Sequence, residues 1–124
     1  MNHAHISVNV VDGVTVVKFR DLARNVFHSE AEIHEIGSEL QGLLDEIQPC
    51  SLVLDFESKE FISFAAFDAR LVSLQRKVTQ RNGTLKLCNL APGVAQMFKV
   101  NGLTDYLCLY NSLEDALVAS KSGG

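Results

Sequence analysis

The sequence predicts an α/β domain with a mixed, mostly parallel sheet, a single antiparallel hairpin at its N-terminus and about four helices. Three observations carry this. Two apolar runs between Ile6 and Phe19 are joined by Asp12-Gly13, a dipeptide that tolerates positive φ and so favours a two-residue hairpin turn. Beyond them, apolar runs of strand length alternate with stretches of helical periodicity, and strands separated by helices need right-handed crossovers and parallel pairing. The first three helical stretches are also closed by Pro or Asn-Gly, at Pro49, Asn82-Gly83 and Asn101-Gly102, so their boundaries are marked by residues that stop helices.

The elements follow in order. Ile6, Val8 and Val10 alternate, and Val14 to Phe19 forms the second strand of the hairpin. A polar link from Arg20 to His28 leads to Ser29 and Glu32, a capping box in which each side chain bonds the other's backbone N–H. Ile33, Ile36, Leu40, Leu43, Leu44 and Ile47 then repeat at helical spacing up to Pro49. Ser51 to Phe56 is nearly all apolar, as a central strand covered on both faces requires. A helix opening near Ser63 carries Phe67, Leu71, Leu74 and Val78 on one stripe, and Gly83 is expected to supply its left-handed cap. Thr84 to Leu90 is a strand, Pro92 to about Val100 a short helix, and Tyr106 to Tyr110 a last strand. Ser112 caps a final helix through Ala119, with Asp115 at the reciprocal position, and Ser120 to Gly124 reads as a frayed tail. The expectation is one domain over residues 1–124 with its core over about 6–119.

Composition narrows the function classes. Among 124 residues, 47% are hydrophobic and 21% charged, the balance of a chain that folds on its own. A formal net charge of -4 and the lack of a basic run argue against nucleic acid, whose binding rests on neutralising phosphates. Arg76, Lys77 and Arg81 punctuate an amphipathic helix and read as a solvated face. No apolar run reaches the ~18 to 20 residues of a membrane span, and the N-terminus lacks a signal peptide's pattern, so no direct membrane insertion is expected and the cytoplasm is the expected compartment. Cys50, Cys88 and Cys108 have no metal-type spacing and are expected as small buried hydrophobes in a reducing environment.

An enzyme would need a constellation of reactive groups. His3-x-His5 is a two-ligand fragment that reads as exposed, and His28 and His34 are too far out of phase to share a helix face. Asp55 and Glu57 flank the end of the central strand, where open α/β sheets place ligands and paired carboxylates could be catalytic, but Glu57 reads as exposed and catalysis is not the expected role of the pair. The Ala91-Pro92-Gly93 turn lacks the glycine-lysine pair of a nucleotide hydrolase. The sequence therefore points to a binding module rather than an enzyme, with no cofactor and no metal.

The stretch LVLDFESKEFISFAAFDARLVSLQRKV resembles the signature segment of the STAS domain, the fold of bacterial anti-sigma-factor antagonists. The likeness extends over Ile6 to about Ala119 through the element order, the Asn82-Gly83 cap into TLKLCNL, Ala91-Pro92-Gly93-Val94 and Phe98 to Leu103. The resemblance implies a partner surface formed by the loop after the central strand and the helix that follows, namely Ser63, Phe64, Ala65 and Ala66, joined by Asn25 and His28 from the link before the first helix. It implies an anti-sigma factor or a histidine-kinase-like ATPase as partner, or, as the alternative class, service as an accessory subunit of a membrane transporter or as a small-ligand binder. In the family, the serine at this helix start is the phosphorylation switch. Counting from Asp55 places that position on Ala65, and counting back from Leu71 and Gly83 places it on Ala66. Both are alanine, which has no hydroxyl, so the phosphosite is degenerate. The one-residue mismatch suggests an extra residue before Leu71, taken up as a π-bulge or a shifted first turn. Ser63 reads as an N-cap. Phe64 reads either as an exposed apolar anchor or as the start of the buried stripe, and a homodimer through an edge strand or the Phe64 surface is compatible with both.

Overall fold

A computed structural model describes residues 5–20, 30–46, 51–58 and 65–121. The hairpin is strands β1 (Ile6–Val11) and β2 (Val14–Phe19), paired antiparallel through six consecutive partners from Ile6↔Phe19 to Val11↔Val14. Its turn has φ of 52° at Asp12 and 82° at Gly13, the double positive φ of a type I′ turn, whose twist matches that of the strands it joins. Helix α1 (Glu30–Leu44) follows, then β3 (Ser51–Asp55), α2 (Ala65–Gln80), β4 (Thr84–Cys88), α3 (Pro92–Val100), β5 (Cys108–Tyr110) and α4 (Leu113–Lys121). The sheet runs in order β1-β2-β3-β4-β5, and every pair after the hairpin is parallel.

That order fixes the layers. Right-handed crossovers that always step the same way put their helices on one face, and α1, α2 and α3 share a core with the sheet: Ile33, Ile36, Leu40, Phe67, Leu71, Leu74, Val78, Val94 and Phe98 pack against Val17, Leu52, Leu54 and Leu87. The stripe expected on α2, Phe67, Leu71, Leu74 and Val78, is buried throughout. Among the described residues, α4 covers the other face, its Ala116 packing with Val14, Val16, Val53 and Cys88. Ser112 Oγ accepts the Asp115 backbone N–H at 3.1 Å, the expected N-cap. Among the described residues no helix is long and apolar enough to cross a membrane.

The structure corrects several sequence expectations. The left-handed residue closing α2 is Asn82 (φ 59°), not Gly83. Gly83 N–H donates to Val78 O at 2.9 Å and Asn82 N–H to Thr79 O at 3.0 Å, the Schellman pair of bonds, in which the left-handed position falls one residue before the glycine. Helix α1 ends at Leu44 in a turn through Asp45 and Glu46, with Ile47 and Pro49 outside the described residues. The last strand begins at Cys108, because Leu103–Asp105 forms a 3-10 turn and Leu107 N–H still bonds Leu103 O. Helix α2 is α-helical from Ala65 to Gln80, so no π-bulge takes up the extra residue there. Cys108 is exposed, unlike Cys88, because β5 is the sheet edge; Cys50 lies outside the described residues.

Lys86 is the unexpected member of the core. It is 5% exposed, in register with Val53 on one side and Cys108 on the other, on the face that α4 covers. Burial pulls its ammonium below the ordinary lysine value of 10.5, and nearby Cys108 opposes the shift only in part. A base with a lowered native pKa binds fewer protons folded than unfolded, so its contribution to stability rises with pH up to 10.5 and is lost as pH falls through the lowered value. Lys86→Met is expected to stabilise the fold slightly near neutral pH, because it removes the charged form that burial disfavours. It also flattens the rise in stability on the alkaline side, and urea unfolding across pH checks both.

Candidate functional site

The site forms where β3 and β4 end. Asp55, the last residue of β3, is 4% exposed and collects three donors. Its Oδ1 accepts the Glu57 backbone N–H at 2.9 Å and Asn89 Nδ2 at 3.0 Å, and the Cys88 thiol also bonds to it. Burial pushes the Cys88 thiol up to about 12, and the Asp55 charge and hydrogen bond add to the effect while Lys18 opposes it. Cys88 is therefore held as a neutral donor, not a nucleophile.

These bonds pin a turn with unusual backbone. Glu57, Ser58 and Asn89 all have positive φ, at 56°, 61° and 56°, a region in which non-glycine residues need support from their surroundings. The support is backbone pairing between the two strand ends: Phe56 N–H to Cys88 O at 3.1 Å, Ser58 N–H to Asn89 O at 2.7 Å and Asn89 N–H to Tyr110 O at 3.3 Å. Asn89 thus ties three strand ends together. Sequence reasoning missed it, although an Asn directly after a strand is a residue suited to the left-handed region.

Beneath this turn lies an aromatic cluster. Phe19 stacks on Phe56 at 5.1 Å between ring centres, and Phe67 meets Phe19 and Phe56 edge-on at 6.2 and 6.5 Å. Phe67 stands in the first turn of α2, so the cluster anchors the start of that helix against the ends of β2 and β3. Asp68 in the same turn complements the positive helix end.

Ala65 and Ala66 are the first two residues of α2. Ser63, Phe64, Asn25 and His28 lie outside the described residues, so the N-cap reading and the two readings of Phe64 belong there as well. Farther along α2, Asp68, Ala69, Val72, Ser73 and Arg76 border an open groove of about 390 Å³ closed on its other side by Leu103. On the opposite flank, Arg70 Nη2 donates to His34 Nδ1 at 2.7 Å, and Arg81 bonds Leu44 O and Asp45 Oδ1, each at 2.6 Å. These contacts tie α2 to α1.

The remaining chemical candidates are accounted for by structural contacts. His5 Nε2 lies 2.7 Å from Glu35 Oε2, and His5 N–H donates to Glu39 Oε1 at 3.0 Å, fastening the start of β1 to α1; His3 is outside the described residues. Glu57 is exposed. No group of three His, Cys, Asp or Glu among the described residues is arranged to hold a metal.

Comparison with known proteins agrees with this architecture. The profile of the STAS domain matches residues 5–116. A Bordetella bronchiseptica protein named as an anti-sigma factor antagonist, BtrV, is 25% identical over 117 residues, covering 94% of this chain and 95% of its own. An anti-sigma-factor antagonist (STAS) domain protein from Planctomyces limnophilus superposes with a TM-score of 0.80 at 25% identity, covering 94% of this chain and 97% of that one. RsbS from Moorella thermoacetica shares the fold, with a TM-score of 0.75 at 18% identity over 94% and 95% of the two chains. From the match over nearly its whole length, and from the sheet order, hairpin and helix layers that go with it, this chain belongs to the STAS domain family.

Proposed function

We propose that this protein is a regulatory binding module of the anti-sigma-factor-antagonist type, not an enzyme. Its partner is an anti-sigma factor or a histidine-kinase-like switch ATPase, bound through the turn after β3 and the exposed side of α2. The observation that carries the reading is the start of α2. A rigid strand-end turn held by Asp55 and Asn89 leads to a helix whose first residues are Ala65 and Ala66. A phosphate at such a place would be tolerated by the helix dipole while spoiling a partner surface through bulk and charge. With alanine at both positions the switch hydroxyl is missing, and the module stays in its binding form. Its control then lies in its abundance or in the partner.

The name of the Bordetella relative favours this reading over the transporter-subunit alternative. The test is affinity purification of the native protein from its host, with intact-mass measurement of the bait. Recovery of an ATPase of the switch-kinase class with an unphosphorylated bait is expected. Recovery of a transporter subunit, or a phosphate on the bait, overturns the partner or the switch respectively.

A further inference from the structure

Strand β1 forms one edge of the sheet, and its outer side has a specific pattern. Arg20 N–H donates to His5 O at 2.9 Å, which makes that pair a hydrogen-bonded one. By antiparallel alternation Ser7, Asn9 and Val11 also direct their backbone groups to β2, while Ile6, Val8 and Val10 direct theirs to the open edge. One of these outward groups is already used, because Arg20 Nε reaches Ile6 O at 3.0 Å. Among the described residues, none takes the outward N–H and C=O of Val8 and Val10.

Among the described residues, nothing on this edge discourages pairing. The strand ISVNVV carries no charge and no proline, its six pairs with β2 run without a bulge, and Val10 is 64% exposed. Natural edge strands are normally blunted by one of those devices. We propose that β1 is a self-association edge, pairing antiparallel with β1 of a second copy about a two-fold axis through Asn9.

Backbone geometry selects the register. A two-fold axis perpendicular to the sheet keeps each side chain on its own face, so residues of equal parity must pair. Placing Val8 opposite Val8 of the second copy would demand the Ile6 carbonyl, which Arg20 occupies. Placing Val10 opposite itself runs the strands into the Asp12-Gly13 turn. With Asn9 on the axis, Val8 faces Val10 of the second copy and the four free groups of each strand are all used. Val8, which packs on the main core, then shields the exposed Val10. The same register brings Asp12 of one copy opposite Ile6 of the other, where the Arg20 guanidinium sits. Asp12 of each copy then meets Arg20 of the other, at a strand end that also holds the Glu35 and Glu39 carboxylates beside His5, and this twofold pairing, with the self-complementary set of edge groups, argues for a second copy as the occupant.

The test is the mass of the full chain across a concentration series, by light scattering after gel filtration. A dimer is expected that Val10→Lys weakens roughly tenfold or more, a change of about 1.4 kcal/mol in association, and that salt or Arg20→Ala also weakens. Val10 is already exposed, so the lysine variant is expected to fold. In a chain with Cys50 and Cys108 changed to Ser, Asn9→Cys is expected to form an intermolecular disulfide on mild oxidation. Its mate lies directly opposite in a non-hydrogen-bonded pair, within bridging distance. Ser7→Cys, which faces Val11 of the second copy, is expected not to. A monomer at every concentration, a dimer indifferent to Val10→Lys, or equal cross-linking at positions 7 and 9 would each overturn the proposal.

Discussion

Phe67→Ala is expected to cost about 3–5 kcal/mol of folding free energy, the range for removing a fully buried aromatic ring. Phe67 is 1% exposed and, among the described residues, is the ring that α2 contributes to the cluster; Phe19 and Phe56 come from the end of β2 and the residue after β3. The loss combines the transfer energy of the ring with a cavity between elements that cannot close independently, since the Phe19 and Phe56 rings are fixed by strand backbone. Phe67→Leu fills much of that space and is expected to cost under about 1.5 kcal/mol. Urea unfolding of the three proteins checks the order. A Phe67→Ala cost below that of the leucine variant would mean that the cluster repacks and does not anchor α2. Because the same ring sets the start of the helix, partner affinity is expected to fall in the alanine variant even where it is still folded.

The second large effect is at Asp55. Asp55→Ala is expected to destabilise by about 2–4 kcal/mol, because it leaves Asn89 Nδ2, the Glu57 N–H and the Cys88 thiol without their shared acceptor. Asp55→Asn keeps an oxygen that can accept the first two bonds and is expected to lose about 1 kcal/mol. The cysteine gives a second readout. In either variant the Cys88 thiol loses the carboxylate's contribution and its pKa falls from about 12, while burial, the larger cause, keeps it above the ordinary thiol value of 9.0. The sign for stability follows. A thiol whose native pKa is raised contributes stability that is complete below pH 9.0 and is lost as pH rises toward about 12. The variants should therefore show a shallower alkaline loss than the parent. An unchanged alkaline slope in Asp55→Asn would remove Asp55 from the causes of the shift. Release of Glu57 and Ser58 from their positive-φ turn also predicts weaker partner binding, through the loop rather than through direct contact.

Much of this site was legible in the chain because its causes are local. The Asp12-Gly13 hairpin, the Phe67-Leu71-Leu74-Val78 stripe and the Ser112 cap each follow from a few neighbouring residues whose backbone preference or periodicity admits one outcome. That residues 65 and 66 are alanines, without a hydroxyl, is local too and is read directly. The exchange of Asn82 for Gly83 as the left-handed residue shows the limit of such reading: both tolerate the conformation, and the bonds to Val78 and Thr79 decide between them.

What the sequence alone determined was the order of elements, the apolar faces and the alanines with which α2 begins. What only the tertiary structure decided were the relations across strands. Asn89 lies 34 positions from Asp55 yet donates to it at 3.0 Å, and Lys86, polar in an alternating strand, is buried because α4 lies over that face of the sheet. Cys108 is exposed although it stands in a strand, because that strand is the edge. Propensity and periodicity act over a few residues along the chain. Burial and hydrogen-bond partnership depend on which strand lies alongside and which helix lies above, and the chain acquires those neighbours only when the sheet closes in its β1-β2-β3-β4-β5 order.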